Sequence, residues 1–383
     1  NSLSGVEIFF KSTDEDYDTD RKTCFGSYFV WHHKDVDISS FSISFDQIKL
    51  FFRKRYYYKN SGMEIFSKNN KSYFFNFKEE DNREIVINEI LSHLKDPAKI
   101  LDDLKDPKDS FDNVVGYLNQ YSPNKKRVKK LKLSKQIAKW TNWEISNFEM
   151  LMWLNFFSNR SYLDISQYPV MPWVLSDYED PLQKNLEVTD YQYRDFSLPM
   201  GMMELSPEGE IRKQTFIEIY DSMKTEGDVS MKPYVYGSHY SNPVYVANYL
   251  TRLFPFSHIM IELQGNKFDD PDRMFLSVAN SFRNSTTQKT DLRELIPEFF
   301  YLPEMFLNIN KLNLGQKENK ELVDDVFVPC NNNPYDFVLT LREVLEGDTV
   351  SMNIQKWIDL IFGYKNRGKE ADAAYNVFTE SSY

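Results

Sequence analysis

The run Leu295-Ile-Pro-Glu-Phe-Phe-Tyr-Leu-Pro-Glu304 constrains the fold more than any other stretch of the chain. It is too apolar and aromatic for a surface loop, and Pro297 and Pro303 keep it from being a helix. A buried extended segment is the expectation, with backbone N–H and C=O groups that need partners among neighbouring side chains. Glu298 and Glu304 are placed to serve that purpose and to neutralise arginines in the same core. Such a segment demands a large core around it. With 383 residues, 41% hydrophobic and 16% aromatic, the chain can supply one and is long enough for two or three domains.

Charge divides the chain in three. Residues 1–97 carry 14 basic and 16 acidic side chains, residues 98–139 carry 11 and 5, and residues 140–383 carry 21 and 36. The first part reads as β: Phe41, Ile43 and Phe45 alternate with Ser42 and Ser44, and Tyr56–Tyr58 and Tyr73–Phe77 favour strands. Asn60-Ser-Gly62 and Lys68-Asn-Asn70 read as turns between them. A closing helix over Glu84–Leu94 would place Ile85, Asn88, Ile90 and Leu94 in one register. The middle part, with Asp96-Pro97, Asp106-Pro107 and Ser122-Pro123, reads as a linker with short helical pieces. Its basic end, Lys125–Lys139, holds eight basic residues and no acid. It reads as a solvated helix face over Leu133, Ile137 and Trp140, or a complement to the acidic part that follows, ahead of a membrane contact.

The last part is mainly helical. Ser146 and Glu149 form a capping box, Asn242-Pro243 starts a helix carrying Ala247, Leu250 and Phe254, and Asp270-Pro271 starts another with Met274, Val278 and Phe282. Ile354, Trp357, Ile358, Ile361 and Phe362 mark one face of a late helix, with Gly363 at its C-terminal cap. The boundaries that result are 1–97, 98–135 and 136–383.

Catalytic chemistry finds little footing. Ser238 and His239 are adjacent, so in an extended chain they point to opposite faces and make no nucleophile and base; His239 reads as a structural histidine. The G-x-S-x-G, Walker-type and dinucleotide glycine motifs are absent from the sequence. Two cysteines, Cys24 and Cys330, and five histidines, including His32-His33 and none in an H-E-x-x-H pattern, support neither a disulfide framework nor a metal site. No cofactor is expected. Carboxylates such as Asp269, Asp270 and Asp272 read as a helix start, and Arg160, Arg194, Arg252 and Arg273 read as members of a structural ion-pair network. The acidic last part disfavours nucleic acid. No run of about 20 apolar residues and no signal peptide occur, so a cytoplasmic protein is expected, and the opening Asn1 suggests an excised fragment.

A family emerges from the motifs in order. Trp143-Glu-Ile-Ser-Asn-Phe-Glu-Met-Leu-Met-Trp-Leu-Asn155, Asn159-Arg-Ser-Tyr-Leu-Asp164, Gln167–Leu175, Arg194–Gly201, Tyr236–Ser241, Arg252–Phe256, Leu263-Gln-Gly265, Phe268–Phe275, Glu294–Glu304 and Trp357–Lys365 resemble a BEACH domain. Ahead of it, Ile48, Arg53-Lys-Arg-Tyr56, Met63-Glu-Ile-Phe66 and Ser72–Lys78 resemble the divergent PH domain that accompanies BEACH in neurobeachin-like proteins. The resemblance implies an α+β multidomain chain: a PH-like β-barrel capped by a helix, packed on a mostly helical BEACH domain with many buried extended irregular segments. It implies a non-enzymatic scaffold in vesicle trafficking, lysosome-related or autophagic membrane dynamics, with an unidentified protein partner and only weak or indirect membrane association.

In that family the PH and BEACH domains dock, and a groove beside their interface is a proposed partner site. Carried over by position, Lys54, Arg55 and Glu64 on the PH side and Asn147, Asn155 and Arg160 on the BEACH side are the expected interdomain or partner-binding residues. A WD-repeat propeller is expected to follow in the full-length protein. The chain departs from the family pattern at Pro329-Cys-Asn-Asn-Asn333, where a Pro-Pro-Trp run is common. A phosphoinositide-binding module is the alternative. It is disfavoured because Asp14–Asp20 puts five acids where a binding hairpin needs cations.

Overall fold

A computed structural model of the chain describes residues 7–11, 40–56, 59–69, 71–77, 79–93, 133–179, 192–226 and 232–379. The acidic run 14–20, Cys24, His32, His33, Leu94 and the basic residues 125–132 lie outside the described residues. Two units separate in the chain, Asn1–Ala138 and Lys139–Tyr383.

In the first unit, strands β1 (Glu7–Lys11) and β2 (Ser40–Ser44) pair antiparallel, and β3 (Ile48–Tyr56), β4 (Lys59–Ser67) and β5 (Ser72–Asn76) form an antiparallel meander. Among the described residues these are two separate sheets, of two and three strands, and no closed barrel. Alternation sorts the meander's side chains by face. Phe51, Met63 and Ile65 turn to one side, where Ile87 and Ile90 of helix α1 (Glu80–His93) complete the core. The helix's buried face differs from the expected one: Ile85 is exposed, and the wholly buried Arg83 shares the inner face with Ile87 and Ile90. Arg53 reaches Glu84 of this helix through its Nε at 2.9 Å, and Arg83 holds the same carboxylate and Asn60.

Asn60-Ser-Gly62 is not a turn. It lies inside β4, with Gly62 opposite Lys54 on one side and Asn76 on the other. The glycine answers crowding, because a Cβ there would stand 2.9 Å from the Phe74 ring and 3.0 Å from the Lys54 carbonyl. Of the expected turn Lys68-Asn-Asn70, Lys68 and Asn69 form a turn, and Asn70 lies outside the described residues.

The second unit mixes helices with irregular chain. After α2 (Leu133–Thr141), which runs across the division between units, α3 (Asn147–Phe157) begins at Ser146, whose Oγ accepts the Glu149 amide at 3.1 Å. Helix α4 (Pro207–Glu226) follows, then α5 (Pro243–Tyr249), where Asn242 caps the Tyr245 amide and proline takes the first turn. This helix stops at Leu250, short of Phe254, and Pro255 leads into α6 (Phe256–Leu263) in place of ending α5. Asp270-Pro271 opens only a 3-10 turn, Pro271–Arg273; the helix that carries Val278 and Phe282, α7 (Val278–Thr287), is capped by Ser277.

Before α8 (Pro334–Glu346), Cys330, Asn331 and Asn332 all adopt left-handed backbone, with φ of 63°, 56° and 57°. Asparagine tolerates this conformation better than most residues. Helix α9 (Ile354–Ile361) buries Ile354, Trp357 and Ile361 as its spacing predicts, and α10 (Gly368–Ala373) lies near the end. Gly363 follows α9 with φ of −103°, so handedness does not require it. Close approach does: a Cβ there would lie 2.7 Å from the Asp359 Cα.

The segment that opened the sequence analysis is buried but only partly extended. Leu295 bridges Met171 through two backbone hydrogen bonds of 2.8 Å, and each proline then starts a 3-10 turn, Pro297–Phe300 and Pro303–Phe306. Glu298 serves its backbone through its carbonyl, which accepts the Tyr301 and Leu302 amides. Phe299 and Phe306 are wholly buried, with rings 5.3 Å apart.

Candidate interaction site

Helix α3 positions most of the BEACH-side residues. Asn147 sits at its first turn, where the Glu346 carboxylate of α8 accepts the Asn147 and Phe148 amides at 2.7 and 3.2 Å. A carboxylate at a helix N-terminus satisfies open donors and meets the positive end of the helix dipole. The Asn147 side chain accepts from Trp140 Nε1 at 2.7 Å and donates to the Leu345 carbonyl and Ser351 Oγ, both at 2.8 Å. It joins three helix ends at one buried point.

Two turns on, Asn155 is fully buried and its amide is spent inside the unit. Nδ2 donates to the Leu151 and Val170 carbonyls at 3.0 and 2.8 Å, and Oδ1 accepts the Val170 amide at 2.8 Å. These bonds pin the extended chain from Tyr168 to Leu175, in which Tyr168, Val170, Met171, Trp173, Val174 and Leu175 are buried, against α3. Asn155 thus holds the frame of its own unit. Arg160 is half-buried; it donates to the Tyr168 carbonyl at 2.9 Å and to Tyr240 Oη at 3.3 Å, and lies 5.7 Å from the Tyr240 ring centre.

The outer face of α3 carries Trp153, Phe156 and Phe157, half-buried rings with centres 5.9–6.0 Å apart. Their i, i+3, i+4 spacing was readable as a stripe opposite Leu151 and Leu154. Tyr162 and Tyr301 are more exposed. On the PH side, Lys54 and Glu64 form an ion pair at 3.3 Å on the meander face away from α1, both nearly buried, and Arg55 follows at the irregularity between Lys54 and Tyr56. The structure thus joins Lys54 to Glu64, and groups Asn155 with Arg160 around the Tyr168–Val170 stretch.

The arginine network takes a different form from the expected one. Arg194 pairs with Glu294, not Glu298 or Glu304: Nη1 lies 2.9 Å from both carboxylate oxygens, which also accept Trp173 N at 3.1 Å and Trp357 Nε1 at 3.0 Å. Arg252 donates to the Asp324 and Phe275 carbonyls, and Arg273 is exposed beside Asp269. Arg212 similarly donates to the Met200 and Ser285 carbonyls. Long-range pairing of this kind leaves no local spacing to read.

Ser238 and His239 do not assemble a catalytic pair. Ser238 Oγ donates to the Thr290 carbonyl at 3.4 Å, while His239 Nδ1 accepts the Ser241 amide at 3.2 Å. Burial, with Arg160 nearby, pushes the imidazole down to about 3, far too weak a base for general-base work near neutrality. Among the described residues no group of His, Cys, Asp or Glu is arranged to hold a metal ion, and no helix is long and apolar enough to cross a membrane.

Comparison with known proteins gives two matches in series. Residues 2–91 match the PH domain associated with Beige/BEACH, and residues 138–383 match the Beige/BEACH domain. A neurobeachin homolog of Caenorhabditis briggsae is 38% identical over 346 residues, covering 88% of this chain and 12% of its own length. Beige protein homolog 1 of Saccharomyces cerevisiae is 37% identical, covering 85% of this chain and 15% of its own length. Protein SPIRRIG of Arabidopsis thaliana is 38% identical, covering 86% of this chain and 9% of its own length. The chain thus spans less than a sixth of the length of these relatives.

Proposed function

The chain belongs to the BEACH family and carries that family's associated PH domain, and from this premise we propose that it is a non-enzymatic scaffold, the protein-interaction module of a large vesicle-trafficking protein. The observation that carries this reading is the consecutive match of both domains over most of the chain. The chemistry of the second unit supports it. Many of its buried charged and amide groups hold backbone, and Ser238 and His239 are directed to separate backbone partners. Lysosome-related and autophagic membranes are the proposed setting, with the protein cytoplasmic and only peripherally associated.

In this proposal the PH and BEACH domains dock. Lys54, Arg55 and Glu64 supply the PH side, Arg160 and the aromatic row of α3 supply the BEACH side, and Asn147 and Asn155 hold α3 in shape from within. A buried Lys–Glu pair suits an interface because reversing one charge leaves two cations together out of water. Calorimetry between residues 1–138 and 139–383 made separately tests the docking. The wild-type pair should associate, and Glu64→Arg should weaken the affinity at least about tenfold. Equal affinity for the two would refute the docking, and a hydrolytic activity abolished in a folded His239→Ala protein would refute the scaffold.

A further inference from the structure

Glu298 differs from the buried acids Asp291 and Glu294 just before it in having no cation partner among the described residues. Its side chain is nearly enclosed, at 5% exposure, and Oε1 accepts from Tyr168 Oη at 2.5 Å. Oε2 makes no hydrogen bond of normal geometry. The Tyr301 hydroxyl lies beside the carboxylate, and the Tyr162 hydroxyl beyond it interacts with Tyr301. Tyr162 and Tyr301 are themselves 39% and 45% exposed.

The charged groups on the surrounding elements are engaged elsewhere. Arg160 donates to the Tyr168 carbonyl and Tyr240. From α8, Arg342 lies 4.0 Å from the Phe148 ring centre and 3.1 Å from Glu346. From α3, Glu149 accepts from Trp153 Nε1, and from α6, His258 stacks on Phe254. Glu294, four residues before Glu298 and equally buried, is by contrast locked to Arg194. An isolated carboxylate in an apolar site is costly, so the group keeps its proton or the site opens.

We propose that Glu298, with Tyr168, Tyr301 and Tyr162, forms a proton-linked switch: the protonated carboxyl holds the turn Pro297–Phe300 closed, and release of its proton to water favours opening. The carboxylic acid becomes a carboxylate, the proton goes to solvent, and no oxidation is involved. Burial pushes the carboxyl up to about 7, which puts the change in the cellular range. Opening would reach α3, because Phe148 at its first turn stands 6.2 Å from both the Phe300 and Tyr301 rings.

The sign follows from proton linkage. An acid whose closed-state value is raised binds more protons closed than open, so opening grows as pH rises from the ordinary carboxyl value of 4.5 towards about 7, and then levels off. Hydrogen exchange on the whole chain, corrected for intrinsic rates, reads this at the Tyr301 and Leu302 amides, which donate to the Glu298 carbonyl. Their protection should fall on the order of 10²-fold between about pH 5 and pH 8. In Glu298→Gln the fall should vanish. In Tyr168→Phe its midpoint should move to higher pH, because the carboxylate loses its donor. Wild-type protection that is flat across the range, or a Glu298→Gln protein with the wild-type fall, would overturn the proposal. Should the Gln variant fail to fold, the Tyr168→Phe protein decides, and an unmoved midpoint would overturn it.

Discussion

Two Arg–Glu pairs, one in each unit, show how differently the two halves of the chain are held. In the PH-like unit, Arg53 and Glu84 tie a strand to α1, with 20% and 30% of their side chains still in water. Backbone groups there are satisfied by the β3–β4–β5 ladder, and the core behind it is Phe51, Met63, Ile65, Ile87 and Ile90. In the BEACH unit, Arg194 and Glu294 are 0% and 2% exposed, and each also serves the backbone: Arg194 donates to the Leu198 carbonyl and Glu294 accepts the Trp173 amide. Asn147, Asn155, Arg212, Arg252 and Asn376 repeat the pattern. Irregular buried chain has no ladder, so side chains supply the partners. The Arg53–Glu84 pair ties together a unit whose backbone the ladder already satisfies, whereas in the second unit buried charged and amide side chains take the place of that ladder.

The largest expected effect sharpens this contrast. Glu294→Gln strands a buried guanidinium and should cost about 3–5 kcal/mol in urea unfolding. A loss below about 1 kcal/mol would erase the difference between the units. Gly62→Ala comes next, at about 1–3 kcal/mol, since its Cβ must displace Phe74 or the Lys54 carbonyl. It should lower the stability of the first unit alone, and a thermal scan that shows the second unit shifting with it would break the separation. Ser146→Ala removes the α3 cap and should cost about 1 kcal/mol.

Glu84→Gln should cost least, under about 1 kcal/mol after allowance for solvent screening, because buried Arg83 keeps Glu80 and Asn60 as partners. The Glu84 carboxyl is held below its ordinary value by Arg53 and Arg83, which outweigh the opposing effect of its partial burial. A depressed carboxyl contributes stability above its unfolded value of 4.5 and loses it as the pH falls through the folded value. The difference between wild type and Glu84→Gln should therefore shrink on acidification below about pH 4.5, and a difference that grows there would contradict the assignment.

Local chemistry was legible in the sequence, and distant pairing was not. The Ser146 cap, the Asn242-Pro243 start and the Ile354–Ile361 face each act within one or two helical turns and are present, although Glu149 turns to Trp153 and does not complete a capping box. Asn60-Ser-Gly62 misled because glycine serves close approach as well as turns; its reason, the Phe74 ring, is twelve residues away. Glu298 and Glu304 read as arginine partners, yet only the folded chain shows that Arg194, 100 residues before Glu294, meets that residue and that Glu298 is left to Tyr168. The prolines of Leu295–Glu304 excluded a long helix correctly, but the short 3-10 turns they start depend on the surrounding core. The hydrogen bonds of Asn155 to Leu151 and Val170 were not legible in the sequence, because a buried asparagine and an exposed one look alike until their partners are known.

Replacing Asn155 by leucine is the most direct test of the claim that side-chain hydrogen bonds stand in for secondary structure in the BEACH unit. Leucine shares the branched, four-heavy-atom shape of asparagine but is bulkier and has no hydrogen-bonding group, so the Val170 amide and carbonyl lose their partner. In urea unfolding followed by tryptophan fluorescence, Asn155→Leu should lose about 2–4 kcal/mol. Stability equal to or above that of the wild type would show that packing alone holds the extended chain, and would contradict the account.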